Sequence, residues 1–129
     1  MSNKAVINTE KAPAAIGPYS QAVKAGNTVY LSGQIPLNRE TMEIVSDDFE
    51  AQARQVFTNL QAVCEEAAGS LGDIVKLNLY LVDLDNFAIV NKVMEEFFST
   101  PFPARAAVGV KALPKGSQVE AEAVMVIGD

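Results

Sequence analysis

Histidine and tryptophan are both missing from the 129 residues, and cysteine occurs once. Without histidine there is no Ser-His-Asp or Cys-His machinery and no imidazole to hold a metal. The lone Cys64 has no partner for an intrachain disulfide, which points to a reducing compartment. No apolar leader follows Met-Ser-Asn-Lys, and no run approaches membrane-spanning length, so the expectation is a cytoplasmic protein with no membrane partner. CxxC pairs and glycine-rich phosphate loops are absent as well, leaving nothing to support a metal or nucleotide cofactor. Basic residues are in the minority: ten Lys and Arg, scattered along the chain, against sixteen Asp and Glu, for a net charge of −6. Binding along a phosphate backbone needs a clustered cationic surface, so nucleic acid is not an expected partner.

What is present is an ordinary globular composition, 49% hydrophobic and 20% charged, of a length that fits one domain over residues 1–129. A short apolar run at Ala5–Asn8 suggests an edge strand. The prolines and glycine of Lys11–Pro18 predict a loop, which delivers Tyr19. On the sequence alone, a tyrosine packed at a strand edge is the commoner arrangement for Tyr19. Ser20–Ala25 and Thr28–Ile35 form a predicted hairpin around Gly26-Asn27, and Gly33 inside its second strand marks a bulge or a close backbone approach. A helix is predicted from Ser46 or Asp47, with Phe49, Ala53, Val56, Leu60, Val63 and Ala67 as its buried stripe and Gly69 as its stop. Cys64, beside that stripe, reads as a small buried hydrophobe.

Ile74–Leu84 is the strongest strand, with Val75, Leu77, Leu79 and Leu81 predicted on one face. Asp83 or Asp85 can then cap a second helix that buries Phe87, Val90, Met94 and Phe97, while Glu95 and Glu96 read as a solvated face. Two further strands follow, around Arg105 and around Glu120. The order predicts an α+β fold in which two helices cover one face of a mixed six-stranded sheet. Its other face, to which Tyr80, Val82, Ala107, Val124 and Val126 are assigned, is too apolar to remain wet, so a closed homo-oligomer is expected to cover it.

The last two strands carry the chemistry. Arg105 stands among small residues, and Glu120 and Glu122 repeat on one face of the next strand. If the two strands pair as a hairpin across Leu113–Ser117, guanidinium and carboxylate reach one pocket with room for a small anion. On spacing alone, an ordinary cross-strand ion pair on a solvated face is the commoner arrangement.

Several stretches together resemble the YjgF-type reactive intermediate deaminase family, also called Rid or L-PSP endoribonuclease. They are Ala14–Ala22, Ser32-Gly33-Gln34-Ile35-Pro36, Gln52-Ala53, Gly72–Lys76, Asp83–Asn91, and the block Phe102-Pro103-Ala104-Arg105, Leu113-Pro114 and Val119–Glu122. The resemblance covers nearly the whole chain in order. It implies a chorismate-mutase-like fold, a homotrimer with a central barrel, and a ligand cleft at each subunit interface. It also implies hydrolysis of enamine and imine acids, 2-aminoacrylate and 2-iminobutanoate among them, to 2-keto acids and ammonia, without metal or cofactor. In that scheme Arg105 clamps the substrate carboxylate and Glu120 holds the attacking water. Tyr19 and Phe87 wall the pocket from the neighbouring subunit, and backbone groups near Gly33 and Ala107 complete it. Many members carry a cysteine where Ala107 stands here, and the Ser99–Phe102 connection is shorter than in several relatives. The alternatives are a noncatalytic binder of 2-keto acids using the same arginine, and an RNA-cleaving or translation-inhibiting activity.

Overall fold

The structure is a computed structural model and describes residues 4–128. Six strands form one sheet: β1 (Ala5–Ile7), β2 (Ala22–Ala25), β3 (Thr28–Gln34), β4 (Ile74–Leu81), β5 (Ala104–Gly109) and β6 (Val119–Val126). Two helices, α1 (Phe49–Glu66) and α2 (Phe87–Phe97), complete the regular structure, which is the expected α+β fold with a mixed sheet. The strand order is β1-β2-β3-β6-β4-β5, and β4 with β5 is the only parallel pair among the described strands.

The core lies where α1 and α2 cover the sheet. Leu77, Leu79 and Leu81 of β4 sit in register with Ala123, Ala121 and Val119 of β6, and all six are buried. Small residues on β6 let the leucines of β4 meet the helices, since the sheet presents alternate knobs and spaces. The stripe expected on α1 is buried throughout, and Phe57 and Cys64 widen it. Phe57 meets both Phe97 and Phe98 with ring centroids 5.6 Å apart, locking the two helices together. The opposite sheet face has no cover among the described residues. Tyr30, Val108 and Val126 stand exposed there, alongside half-buried Tyr80 and Val124.

Several expectations are corrected. The hairpin between the Arg105 and Glu120 strands does not form, because β4 lies between β5 and β6. A parallel neighbour for β4 requires a crossover, which α2 supplies. Ala107 is in register with buried Leu79 and so lies on the helix side, not on the open face; Ala106 and Val108 take the open-face positions. Val75 is exposed and Ile74 buried, because the β4–β6 register shifts between Ile74 and Lys76. α1 starts at Phe49, its N-terminus capped by Asp48, whose carboxylate accepts the Ala51 N–H at 2.9 Å. At its far end Ala68, not Gly69, adopts the left-handed conformation, with φ 67°. Gly69 is small for another reason: a Cβ there would lie 2.8 Å from the Met125 sulfur.

Candidate active site

Arg105 stands on the helix side of β5, in register with Leu77. Its guanidinium reaches α2, where one nitrogen donates to Asn91 Oδ1 at 2.6 Å and lies 3.5 Å from the Met94 sulfur. The guanidinium carbon is 5.0 Å from the centre of the Phe87 ring. Phe87 and Asn91 are four residues apart and share one face of α2, so a single helix supplies both the stacking plane and the acceptor. No carboxylate pairs with Arg105 among the described residues, and the ordinary salt bridge to Glu120 is therefore not made. A held but electrostatically unneutralised guanidinium is an anion receptor. Phe87 belongs to this cluster within the same chain, which corrects its expected placement across a subunit boundary.

β5 is an edge strand, and Val110 donates its N–H to the Leu81 carbonyl at 2.9 Å. Main-chain groups alternate sides along a strand, so Arg105 and Ala107 turn theirs outward to the unpaired edge. The guanidinium is thus carried by the same edge strand as backbone groups that pair with no other strand among the described residues. Met94, Glu95, Phe102 and Pro103 close a cavity of about 290 Å³ beside them.

Glu120 is elsewhere. It is in register with Tyr80 and projects from the open face, opposite to Arg105. The β3–β6 register shifts between Leu31 and Gln34, and Gly33 sits in that irregularity. A Cβ on Gly33 would lie 2.9 Å from the Glu120 carboxyl carbon and closer still to Oε2. Glycine is therefore the residue that makes room for this carboxylate, which bears out the close approach expected at Gly33. Partial burial pushes the Glu120 carboxyl above the ordinary carboxylate value, and the charge of Glu122 adds to the effect. Glu122 is itself engaged, accepting from Tyr80 Oη at 2.5 Å and Asn78 Nδ2 at 3.3 Å. That bond, before desolvation, raises the Tyr80 phenol to about 12. Glu120 makes no such bond among the described residues and is the carboxylate left for chemistry.

Tyr19 is positioned by a buried glutamine. Gln21 accepts the Thr9 N–H at 2.7 Å and donates to the carbonyls of Thr9 and Pro13 at 3.1 and 2.8 Å, binding the preceding loop to β2. Tyr19 then turns tightly, its N–H donating to the Gly17 carbonyl at 2.9 Å, and half of its surface stays exposed. Together with Ile16, Gly33, Ile35, Pro114 and Lys115, Tyr19 lines a largely apolar cavity of about 370 Å³. A larger groove of about 560 Å³, between the 36–45 loop and α1, is lined by polar groups such as Asn38, Arg39, Gln55 and Glu65 and contains none of the expected residues.

One chain therefore carries two separated clusters: Arg105, Phe87 and Ala107 at the β5 edge, and Tyr19, Gly33 and Glu120 around the end of β3. Asn91 and Met94 were missed by the sequence reading. Asn91 sits within a recognised block, but its role shows only once α2 lies over β5.

The sequence model described as Endoribonuclease L-PSP matches residues 9–127. The chain belongs to this family, the Rid or YjgF proteins. Among Rid relatives, the 2-iminobutanoate/2-iminopropanoate deaminase of Dermatophagoides farinae is 50% identical over 98% of this chain and 99% of its own. The human protein of the same name is 43% identical, over 95% of this chain and 90% of its own. Crystal structures agree: RidA from the Antarctic bacterium Psychrobacter sp. superposes with a TM-score of 0.92 at 57% identity, covering 95% of this chain and 99% of that one. E. coli TdcF with bound serine gives 0.90 at 40% identity, covering 97% and 100%. The Rid fold expected from the sequence is thus the fold of this chain.

Proposed function

We propose that this chain is a hydrolytic deaminase of reactive enamine and imine acids, converting substrates such as 2-iminobutanoate and 2-aminoacrylate to 2-keto acids and ammonia. The observation that carries the reading is Arg105: a guanidinium fixed by Asn91 and Phe87 yet without an acidic partner, at a sheet edge with free backbone groups. Identity of 50% and 43%, over nearly the full length, to two proteins named for that reaction supports the substrate class. The TdcF structure, with serine bound, supports a small amino-acid-like ligand.

The mechanism follows from positioning. Arg105 binds the substrate carboxylate through two parallel N–H groups, and the outward main chain at Ala107 steadies the remainder. Glu120 accepts a proton from water as the water oxygen attacks the imine carbon, giving a carbinolamine. Return of that proton to nitrogen lets the carbon–nitrogen bond break: ammonia leaves while the hydroxyl proton passes back to the Glu120 carboxylate, or to water, and the carbonyl forms. An enamine substrate first takes a proton at its terminal carbon to become the imine. Because an iminium is already electrophilic, no metal or organic cofactor is required.

Arg105 and Glu120 lie on opposite faces of one sheet, so the working site is assembled from two copies, Arg105 with Phe87 of one meeting Tyr19, Gly33 and Glu120 of the next. A closed homotrimer with the uncovered sheet faces packed inward meets that need and removes Tyr30, Val108 and Val126 from water. No described helix is long and apolar enough to cross a membrane. The buried free thiol of Cys64 fits the reducing cytoplasm.

The test couples the protein to a threonine dehydratase. Release of 2-ketobutyrate should accelerate over the dehydratase alone. An unchanged rate at a thousandfold range of protein concentration would remove the proposal.

A further inference from the structure

We infer that Glu95 selects substrates by the charge of their side chain, turning away imino acids with a second carboxylate and favouring neutral or cationic ones. This rests on Arg105 binding the α-carboxylate, as proposed above. Glu95 follows Asn91 by one helical turn on α2 and therefore lies on the flank of the helix that meets Arg105. Arg105, Asn91 and Glu95 line the same cavity, with Met94, Phe102 and Pro103 as its apolar walls.

The next residue shows what a structural acid looks like on this helix. Glu96 forms an ion pair with Arg54 of α1, which also pairs with Glu50 at 2.8 Å. Glu95 takes part in no ion pair or hydrogen bond among the described residues. The fold thus makes no use of its charge among the described residues, yet Glu95 lines the same cavity as Arg105. Once the α-carboxylate occupies the guanidinium, Glu95 is the only ionised side chain that this half of the site, among the described residues lining the cavity, leaves to meet the rest of the ligand. A second carboxylate brought against Glu95 meets a like charge. An ammonium or guanidinium at the same place meets an opposite one. With apolar walls excluding water on one side and solvent screening on the other, the discrimination expected from one such charge is roughly 3- to 10-fold in kcat/KM.

The experiment compares 2-iminopentanedioate with 2-iminopentanoate, which share a five-carbon chain and differ in the terminal carboxylate. Both are generated in place by an amino-acid oxidase, and the readout is the ratio of their kcat/KM values. In Glu95→Gln the ratio should rise in favour of the diacid about 3- to 10-fold, and in Glu95→Lys further still, with the gain shrinking as salt increases. A ratio that stays within twofold of the parent in both variants overturns the inference. Equilibrium binding of the corresponding 2-keto acids, measured by calorimetry on the same proteins, separates the two claims. If 2-iminopentanoate is hydrolysed but neither ratio moves, Glu95 is not the selector and the deaminase reading stands. If nothing is hydrolysed but the binding ratio shifts with Glu95, selectivity stands and the deaminase reading falls.

Discussion

A cation presented without an acidic partner among the described residues is the residue-scale feature on which the proposed chemistry turns. Asn91 offers Arg105 a neutral acceptor, and Phe87 offers the face of a ring; neither cancels its charge. Lysine at 105 would keep the charge but lose the fork, so Arg105→Lys should lower kcat/KM by roughly 10- to 100-fold, the worth of one charge-assisted hydrogen bond. Steady-state kinetics on 2-iminobutanoate would show it, and parental kcat/KM in that variant would deny Arg105 its role. Glu120 makes a prediction of opposite character. Its folded carboxyl holds a proton more tightly than an unfolded one, because of burial and then Glu122. Its contribution to stability is fully present below the ordinary carboxylate pKa and is lost as pH rises through the raised value. Glu120→Gln should therefore raise Tm at pH 7 by roughly 1–3 °C and give no gain near pH 4. The same substitution should abolish most turnover while leaving 2-ketobutyrate binding in place. In the parent, the acid limb of kcat/KM should lie above the usual carboxylate range, since the base must be ionised to work.

At the scale of elements, what could be read from the sequence was whatever local period decides. The β2–β3 hairpin at Gly26-Asn27, the buried stripe of α1 and the leucine face of β4 were all legible from alternation or helical spacing. Strand order was not, because nothing in Leu113–Ser117 says whether β6 pairs with β5 or passes it to reach β4. Pairing with β4 wins since Ala121 and Ala123 complement Leu79 and Leu77, a long-range packing preference that no window contains. Resemblance supplied the residues proposed for the site, but their grouping depended on that order. The end of α1 shows the same limit on a smaller scale. Gly69 marks the stop, yet Ala68 bears the positive φ and Gly69 makes room for Met125. Ala68→Gly should thus stabilise the fold by about 0.5–1 kcal/mol, removing left-handed strain at a small entropic cost. Gly69→Ala should destabilise it by about 1–3 kcal/mol through overpacking against Met125. Urea denaturation of the two variants checks both signs; if glycine at 68 fails to stabilise, the account of this cap is wrong.

At the scale of the whole molecule, the separation of Arg105 from Glu120 decides what kind of enzyme this is. Opposite faces of one sheet cannot be brought together by side-chain motion, so the activity proposed for these two residues would be a property of an assembly. Two consequences follow that a self-contained subunit would not share. A charge on the open face, as in Val108→Glu, should cost both association and turnover although every proposed catalytic group is intact, and light scattering with kinetics on the same sample would show the two losses together. The sharper case uses two inactive chains. Arg105→Ala retains a sound Glu120 half-site, and Glu120→Ala retains a sound Arg105 half-site. Co-refolded at equal amounts into a closed homo-oligomer, they should pair a sound half from each at about one quarter of the interfaces and recover that share of parental activity. Were both groups to act within one chain, every chain in the mixture would still lack one of them, and no activity would return at any mixing ratio.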